Sequence, residues 1–265
     1  MITISSLSNS KIKDLIRLKK AGERRVRGLI LIDGAREIEM AKKAGLEIVE
    51  LFYCPSLIKK AAGRFFELKS EQIIEVTEPV FSKICYKEKP DGFLAVAKPS
   101  MSNLDTLKLS KNPLVVVLEA VEKPGNLGAI IRTAVAVGAD ALIINDNQTD
   151  IYNPNVIRAS EGLVFVKPVV IASVEETVEW LKKQKIKSLA AATIGSKNYT
   201  EVNFKKAAAI ILGSEANGLS QKWLKAANEL IKIPMQEGID SLNVSVSAAV
   251  IAYEVLRQRI KIDKS

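Results

Sequence analysis

Two polar side chains, Asn126 and Arg132, follow a very apolar stretch in the segment VEKPGNLGAIIR, residues 121–132. The apolar stretch predicts a buried strand, and the Pro-Gly-Asn turn after it predicts the start of a helix. Glycine-containing turns between a strand and a helix commonly hold phosphate groups, but the usual phosphate-binding spacing is absent here. The amide and the guanidinium therefore indicate a different polar ligand, unless Asn126 only caps the helix and Arg132 only lies on its surface.

A second polar loop occurs in ILGSEANGLS, residues 211–220. Gly213 and Gly218 free the backbone to approach a ligand closely, and Glu215 lies between them. Ser220 is placed to cap the next helix. An ordinary turn from a strand to a helix is the alternative interpretation.

The third segment, IPMQEGIDSLNVSVSAAVIAYEVL, covers residues 233–256. Its spacing predicts a loop to Ser241 and then a long helix, capped by Ser241 or Asn243. The helix carries a run of small residues between Ser245 and Ala252. Such residues permit close packing, either on the sheet or on a second subunit.

Several common chemistries are excluded by composition. The chain has no histidine, which removes Ser-His and Cys-His nucleophilic pairs, and its two cysteines, Cys54 and Cys85, are far apart in sequence. No dinucleotide-binding, P-loop or nucleophile-elbow motif occurs. A structural zinc site is therefore not expected, and chemistry must use Asn, Ser, Arg, Glu, Lys or backbone groups. The low cysteine content, together with the lack of a signal-like N-terminus, predicts a cytoplasmic protein.

Positive charge is concentrated near the N-terminus. The chain of 265 residues has a net charge of +9, of which +6 falls in residues 1–100. Residues 11–27 include eight basic residues and only two acidic ones, Asp14 and Glu23. This asymmetry favours a polyanionic partner, with nucleic acid first among the candidates.

The elements that position these residues alternate between strands and helices. Residues 1–98 predict a small α/β domain, residues 99–112 a polar linker, and residues 113–265 a second domain. In the second domain the pattern predicts a parallel sheet covered on both faces. Its predicted strands are 114–118, 140–144, 164–170, 188–193, 207–212 and 230–233, and its predicted helices are 127–137, 154–161, 173–185, 219–228 and 243–259.

In order and spacing, three segments resemble the motifs of the SpoU/TrmH family of RNA ribose 2′-O-methyltransferases: PGNLGAIIRT, LGSEANGL and IPMQEGIDSLNVSVSAA. The resemblance covers about residues 112 to 260. The segment YNPNVIRASEG, residues 152–162, also resembles a family segment, although Glu161 stands where the family has Met. The first 98 residues resemble the substrate-binding domain of the longer, rRNA-type members.

The resemblance implies a SPOUT-type α/β domain in which the C-terminal segment forms a deep trefoil knot. It implies S-adenosylmethionine as methyl donor, no metal, and a homodimer formed through the helix of the third motif. The cofactor-binding positions that it implies are Thr193, Gly213, Gly218, Ile233 and Leu242.

The family's functional side chains fall on Asn126, Arg132, Glu215, Ser241 and Asn243. The resemblance implies that Arg132 acts either as general base or, when charged, as an anchor for a phosphate and for developing oxyanion charge. Asn126 and Glu215 would orient Arg132 and the ribose. Ser241 and Asn243 would shape the cofactor loop and the target nucleotide.

The implied function is 2′-O-methylation of a ribose in RNA, with 23S rRNA as the expected substrate. A tRNA ribose methyltransferase is the alternative within the class. A catalytically silent RNA-binding or ribosome-assembly protein is the alternative outside it. The expected RNA-binding residues of the first domain are Lys19, Lys20, Arg24, Arg25, Arg27 and Arg36.

Overall fold

The computed structural model of the protein describes residues 2–58 and 72–260, so residues 59–71 of the predicted first domain lie outside it. The helices are α1 (Ser10–Leu18), α2 (Ala21–Arg27), α3 (Ala35–Lys43), α4 (Glu78–Ile84), α5 (Pro124–Ala136), α6 (Pro154–Ala159), α7 (Val174–Lys183), α8 (Gln221–Ala226) and α9 (Val244–Arg259). The strands are β1 (Ile2–Ile4), β2 (Ile30–Asp33), β3 (Ile48–Tyr53), β4 (Ile73–Val76), β5 (Phe93–Ala97), β6 (Leu114–Glu119), β7 (Ala141–Asn145), β8 (Val169–Ile171), β9 (Lys187–Ala191), β10 (Lys197–Asn198), β11 (Ala208–Leu212) and β12 (Glu229–Lys232).

The chain forms two compact units, and their boundaries differ from the sequence-based division. The first unit contains residues 1–100 and 150–166, and the second contains residues 101–149 and 167–265. Residues 150–166 follow β7 in sequence but pack within the first unit. The predicted linker, 99–112, contributes three side chains that pack against the core of the second unit: Leu104, Leu107 and Leu109.

Specific contacts hold residues 150–166 in the first unit. The Arg24 guanidinium donates to Asp150 Oδ2 from Nη2 at 2.5 Å and from Nε at 2.9 Å. Arg36 Nη2 lies 2.5 Å from Glu161 Oε2. Such ion pairs join residues more than a hundred positions apart, so the local sequence pattern does not reveal them.

A five-stranded mixed sheet forms the centre of the first unit, in the order β1-β4-β3-β5-β2. Strand β5 is antiparallel to β2 and β3, whereas the pairs β1–β4 and β3–β4 are parallel. Helix α1 begins after Asn9, which caps it by accepting a hydrogen bond from Lys11 N. Its apolar face, Ile12, Leu15 and Leu18, is buried in the same core as the sheet residues.

A seven-stranded sheet forms the centre of the second unit, in the order β10-β12-β9-β11-β6-β7-β8. Every pairing in it is parallel, which confirms the predicted α/β architecture. Strand β6 is buried along its whole length, as expected for a central strand covered on both faces. The deep knot remains a prediction, because strand order alone does not establish how the chain threads.

Two features of the second unit differ from the sequence-based expectation. Helix α5 starts at Pro124 with Lys123 as its cap residue, so Asn126 lies inside the first turn and is not the cap. Proline is well suited to the first helical position, which explains the earlier start. The predicted strand 164–170 is reduced to Val169–Ile171, because residues 163–165 form a 3₁₀ turn after the left-handed Gly162.

The described residues lack both a membrane-spanning helix and a cluster of metal-binding side chains. No helix within residues 2–58 and 72–260 is long and apolar enough to cross a membrane. The same residues contain no group of three or more His, Cys, Asp or Glu side chains arranged to hold a metal ion.

Candidate active site

A cavity of about 750 Å³ lies in the second unit, in the size range of small-molecule sites. Its wall includes Ala191 and Leu212, the last residues of β9 and β11. Loops 213–219 and 240–244 complete much of the rest. The cavity therefore lies beyond the carboxyl ends of parallel strands, where open α/β sheets bind ligands.

The loop after β11 closes on itself through its own backbone. Ser214 N donates to Gly218 O at 3.1 Å, and Gly218 N donates to Ser214 O at 3.0 Å. A Cβ on Gly213 would overlap the backbone of Gly218 and Leu219. Glycine is thus required at 213 because the backbone of the same loop approaches it, which is a different reason from the ligand approach expected from sequence.

A second close approach, at Gly195, was missed by the sequence analysis. A Cβ there would lie 2.5 Å from the carbonyl carbon of Ile231 in β12. Gly195 N donates to Ala192 O at 2.9 Å, and Ala192 N donates to Ile231 O at 2.9 Å. This turn presents Thr193 and Ile194 to the cavity. The sequence signal for this turn was Gly195 itself, two residues after Thr193.

Three of the predicted catalytic side chains form a continuous hydrogen-bonded series. The Asn126 amide donates to Glu215 Oε1, and Asn243 Nδ2 donates to Asn126 Oδ1 at 3.3 Å. Asn243 Oδ1 also accepts from Ser245 N at 2.9 Å, so Asn243 caps α9 as one of the two expected caps. The three sequence segments singled out above therefore converge through these side chains.

Glu119, at the end of β6, supports this convergence and was not predicted. Its carboxylate is buried and accepts a hydrogen bond from Ser220 N at 2.7 Å. The bond ties the strand that leads into α5 to the loop that carries Glu215. Ser220 occupies the expected cap position of α8, but its hydroxyl makes no cap bond and is buried without a hydrogen-bond partner among the described residues.

The other two predicted catalytic residues are placed differently. Ser241 is exposed and lines the cavity. Arg132 is exposed on α5 and is not among the residues that line it. Arg132 is six positions after Asn126 in α5, which corresponds to about 9 Å along the helix axis. The guanidinium group is thus not part of the cavity wall.

The wall of the cavity includes every residue predicted to bind the cofactor: Thr193, Gly213, Gly218, Ile233 and Leu242. It combines exposed backbone of the two loops with apolar side chains such as Ile194, Leu219 and Met235. An apolar wall with a few polar groups suits a ligand that carries both a flat base and charged substituents.

The basic residues expected to bind RNA fall into two groups in the first unit. Lys20 and Arg25 are exposed and have no ion-pair partner among the described residues. Arg27 lies 3.0 Å from Asp14 and 3.2 Å from Glu23, and hydrogen bonding to Asp14 raises the pKa of its guanidinium. Arg36 is paired with Glu161, as described above.

Lys19 and Arg24 are occupied by the fold itself. Lys19 Nζ donates to Lys83 O and Cys85 O at 2.8 and 2.9 Å, and burial lowers the pKa of its ammonium group. The Arg24 side chain is only 4% exposed, and its Nη1 donates to the carbonyls of Leu18 and Lys19. Arg24 is therefore a structural residue, which corrects its assignment to the RNA-binding surface. The ammonium group of Lys19 likewise binds carbonyl groups of the first unit.

Comparisons with known proteins agree with this geometry. Residues 113–253 match the SpoU rRNA Methylase family, and residues 9–95 match the MRM3-like substrate binding domain. The 23S rRNA (guanosine(2553)-2′-O)-methyltransferase RlmP of Bacillus subtilis (strain 168) is 30% identical over 96% of this chain and 99% of its own length.

Two solved structures are similar over almost the whole chain. A crystal structure of an RNA 2′-O ribose methyltransferase has a TM-score of 0.86 at 38% identity, covering 97% of this chain and 99% of that one. The AdoMet-bound rRNA methyltransferase from Sinorhizobium meliloti has a TM-score of 0.89 at 27% identity, covering 98% of each chain. Motifs, fold and relatives agree, and this chain belongs to the SpoU rRNA Methylase family.

Proposed function

We propose that the protein transfers a methyl group from S-adenosylmethionine to a ribose 2′-hydroxyl of 23S rRNA, in the cytoplasm. The observation that carries the proposal is the hydrogen-bonded series Asn243–Asn126–Glu215 beside the cavity. Relatives named as 23S rRNA 2′-O-methyltransferases, from Bacillus subtilis and Streptomyces viridochromogenes, support the choice of substrate.

The cavity fits S-adenosylmethionine in size and in the chemistry of its wall. Backbone groups around Thr193, Gly213 and Leu242 would hold the polar parts, and apolar side chains such as Ile194 and Ile233 would cover the adenine. When bound, S-adenosylmethionine supplies an electrophilic methyl group on a sulfonium. AdoMet-bound structures of similar proteins support this assignment.

The chain's own residues would orient the ribose and balance its charge. The 2′-oxygen would bond to the methyl carbon as the bond from that carbon to the sulfonium sulfur breaks, S-adenosylhomocysteine would leave, and the hydroxyl proton would pass to solvent. Negative charge develops on the 2′-oxygen as its proton departs. Asn126 donates a hydrogen bond to Glu215, and Asn243, from the third sequence segment, donates one to Asn126. This arrangement fixes the polar groups before the substrate arrives, which lowers the reorganisation needed in the transition state.

We assign Arg132 the role of a cation and not of a base, because arginine stays protonated in proteins. It would stabilise the charge that develops on the 2′-oxygen. Since Arg132 does not line the cavity, the target ribose must lie at the edge of the cavity beside the exposed side of α5, where the guanidinium can reach its 2′-oxygen.

We further propose that the first unit binds RNA through the exposed part of its basic surface. Lys13, Lys20 and Arg25 are exposed and have no ion-pair partner among the described residues. Their charges are available for phosphate groups, whereas Arg24 and Lys19 are held inside the unit. The match to a substrate-binding domain over residues 9–95 supports this role.

A homodimer through α9 is also proposed. Val246, Tyr253 and Ile260 are exposed by 46, 53 and 52%. Val246 and Tyr253 are seven residues apart and lie on the same face of α9, and Ile260 follows directly after the end of the helix. An apolar stripe of this kind commonly marks an interface with a second protein. A second copy of the chain would bury it.

The test is methyl transfer to unmodified 23S rRNA from S-adenosylmethionine, followed by mapping of 2′-O-methyl positions. One modified ribose in 23S rRNA is the expected result, and its position will distinguish a housekeeping modification from one that confers antibiotic resistance. Methylation of tRNA alone would support the tRNA alternative. Cofactor and RNA binding without methylation of either RNA would support a catalytically silent ribosome-assembly protein.

A further inference from the structure

Lys123 lines the cavity and is exposed there. It immediately precedes Pro124, the first residue of α5. As the N-cap residue of α5, Lys123 has an extended backbone, and it lines the same cavity as Glu215 and Asn243. Lys123 therefore shares the cavity wall with two members of the Asn126–Glu215–Asn243 series.

The backbone around Lys123 is fixed on both sides. The buried Thr149 hydroxyl is within hydrogen-bonding distance of two carbonyls of the preceding residues, at 3.0 Å from Val121 O and 2.5 Å from Glu122 O. On the other side, Leu127 N donates to Lys123 O at 3.1 Å. The ammonium group is thus carried by a rigid base, and only its side-chain torsions are free.

The charge of Lys123 is not neutralised within the protein. Among the described residues that line the cavity, the charged ones are Lys123, Glu215 and Asp240. Glu215 accepts the hydrogen bond from Asn126. Lys123 has no hydrogen-bond or ion-pair partner for its ammonium group among the described residues. Its three donors are available to an anionic ligand.

RNA provides such an anion next to the reacting group. Each internal ribose carries a phosphodiester on its 3′-oxygen, on the carbon next to the one that bears the 2′-hydroxyl. A 2′-hydroxyl held against Asn126 and Glu215 brings that phosphate to the neighbourhood of Lys123. The carboxylate of S-adenosylmethionine is the competing anion, but the residues proposed to hold that cofactor come from the loops after β9, β11 and β12 and not from this turn.

We propose that Lys123 is a substrate-positioning residue that binds the phosphodiester on the 3′ side of the target ribose. This inference rests on the proposed function. Lys123, in the turn before α5, would thus be a charged contact for the substrate near the reacting group, in addition to Arg132 on α5.

The test compares Lys123→Met, which removes the charge and keeps the length of the side chain, with Lys123→Arg, which keeps the charge. For Lys123→Met we expect kcat/KM on full-length 23S rRNA transcript to fall about 10- to 100-fold, as for loss of one charge-assisted hydrogen bond. The salt slope of RNA binding should become shallower by about one. Affinity for S-adenosylmethionine, measured by calorimetry without RNA, should stay within about twofold, and Lys123→Arg should restore most of the activity.

Lys225→Met is the matched control, because Lys225 is exposed on α8 and does not line the cavity. It should leave all three quantities unchanged. Weakened S-adenosylmethionine binding in Lys123→Met, with an unchanged salt slope, would show that Lys123 serves the cofactor carboxylate and would overturn the proposal. An active Lys123→Met protein with the wild-type slope would also overturn it, while the proposed function stood. Absence of methyl transfer by the wild-type protein would instead reject the proposed function.

Discussion

The side-chain amide of Asn126 donates a hydrogen bond to the carboxylate of Glu215, a residue 89 positions further along the chain. The bond joins the first turn of α5 to the loop after β11. Asn243, which caps α9, donates to Asn126 at 3.3 Å and adds a third segment. Side chains from three separate sequence segments thus form one hydrogen-bonded series. We expect the contribution of each side chain to catalysis to depend on the presence of the others.

A double-mutant cycle on this pair tests that dependence. We expect Asn126→Ala and Glu215→Ala each to lower kcat/KM for methyl transfer by about 100-fold, comparable with loss of an oriented polar group in other active sites. The double variant should be little worse than either single one, which corresponds to a coupling energy of about 2–3 kcal/mol. Asn217→Ala is the control, because Asn217 lies in the same loop and its side chain makes no hydrogen bond among the described residues. Its backbone N–H donates to the Ser214 hydroxyl at 3.1 Å, and this bond does not require the side chain. Fully additive losses in kcat/KM would show that Asn126 and Glu215 act independently and would contradict this prediction.

Arg132→Ala is expected to remove most methyl transfer while leaving folding and cofactor affinity nearly intact. The residue is exposed and does not line the cavity, so neither the core nor the cofactor depends on it. A loss of about 100- to 1000-fold in kcat is the magnitude expected for one charge-stabilising group. Single-turnover rates and calorimetry with S-adenosylmethionine measure the two effects separately. Arg132→Lys, which retains the charge, should be less impaired, and near-normal turnover of Arg132→Ala would refute the assigned role.

Gly213→Ala and Gly218→Ala form a matched pair in one loop. The Gly213 substitution places a Cβ in the backbone of Gly218 and Leu219, so the loop must open and S-adenosylmethionine binding should be lost. At Gly218, where φ is +64° and no atom lies within 4 Å of a Cβ, only the left-handed backbone is strained, at about 1–2 kcal/mol. Its cofactor affinity should change far less. Calorimetry on both variants checks the order, and equal affinities would show that the loop tolerates opening.

The sequence was sufficient to predict the parallel sheet of the second unit and the loops that surround its cavity. The apolar run of β6 and the Gly-rich loop after β11 are local signals, readable within about ten residues. The start of α5 was misplaced because Asn126 is a good cap in general, whereas Pro124 fixes the helix start here. Local pattern decides which element forms, but not which of two adjacent start signals prevails.

Contacts between distant residues were beyond this kind of prediction. The Arg24–Asp150 pair joins positions 126 apart, and it places residues 150–166 in the first unit. The close approach of Gly195 to β12 likewise depends on how two strands meet. From the sequence, Arg24 resembled a surface charge and Gly195 an ordinary loop residue. In both cases tertiary packing determines the role of the residue.

The stripe on α9 leads to a prediction about assembly. Tyr253→Asp places a charge in the middle of the apolar face formed by Val246, Tyr253 and Ile260. If a second copy covers this face, the buried charge should dissociate the dimer, since an unpaired charge in an interface is strongly unfavourable. Sedimentation equilibrium should then show a monomer, while Lys222→Asp on α8 should leave the dimer intact. A wild-type protein that is already monomeric would reject the interface.

Arg24 and Arg25 are adjacent in sequence and are expected to behave in opposite ways. Arg24 is buried and donates to Asp150 and to two carbonyls, whereas Arg25 is exposed and unpaired among the described residues. Arg24→Ala should lower the free energy of unfolding by about 3 kcal/mol, because it leaves Asp150 and two carbonyls without their donor. Arg25→Ala should change stability by less than about 0.5 kcal/mol but lower the salt slope of RNA binding by about one. Hydrogen exchange of the first unit and RNA binding across a salt series measure the two properties. If Arg25→Ala leaves both RNA affinity and slope unchanged, Arg25 does not contact phosphate, and if Arg24→Ala is as stable as wild type, the pair with Asp150 does not hold residues 150–166 in place.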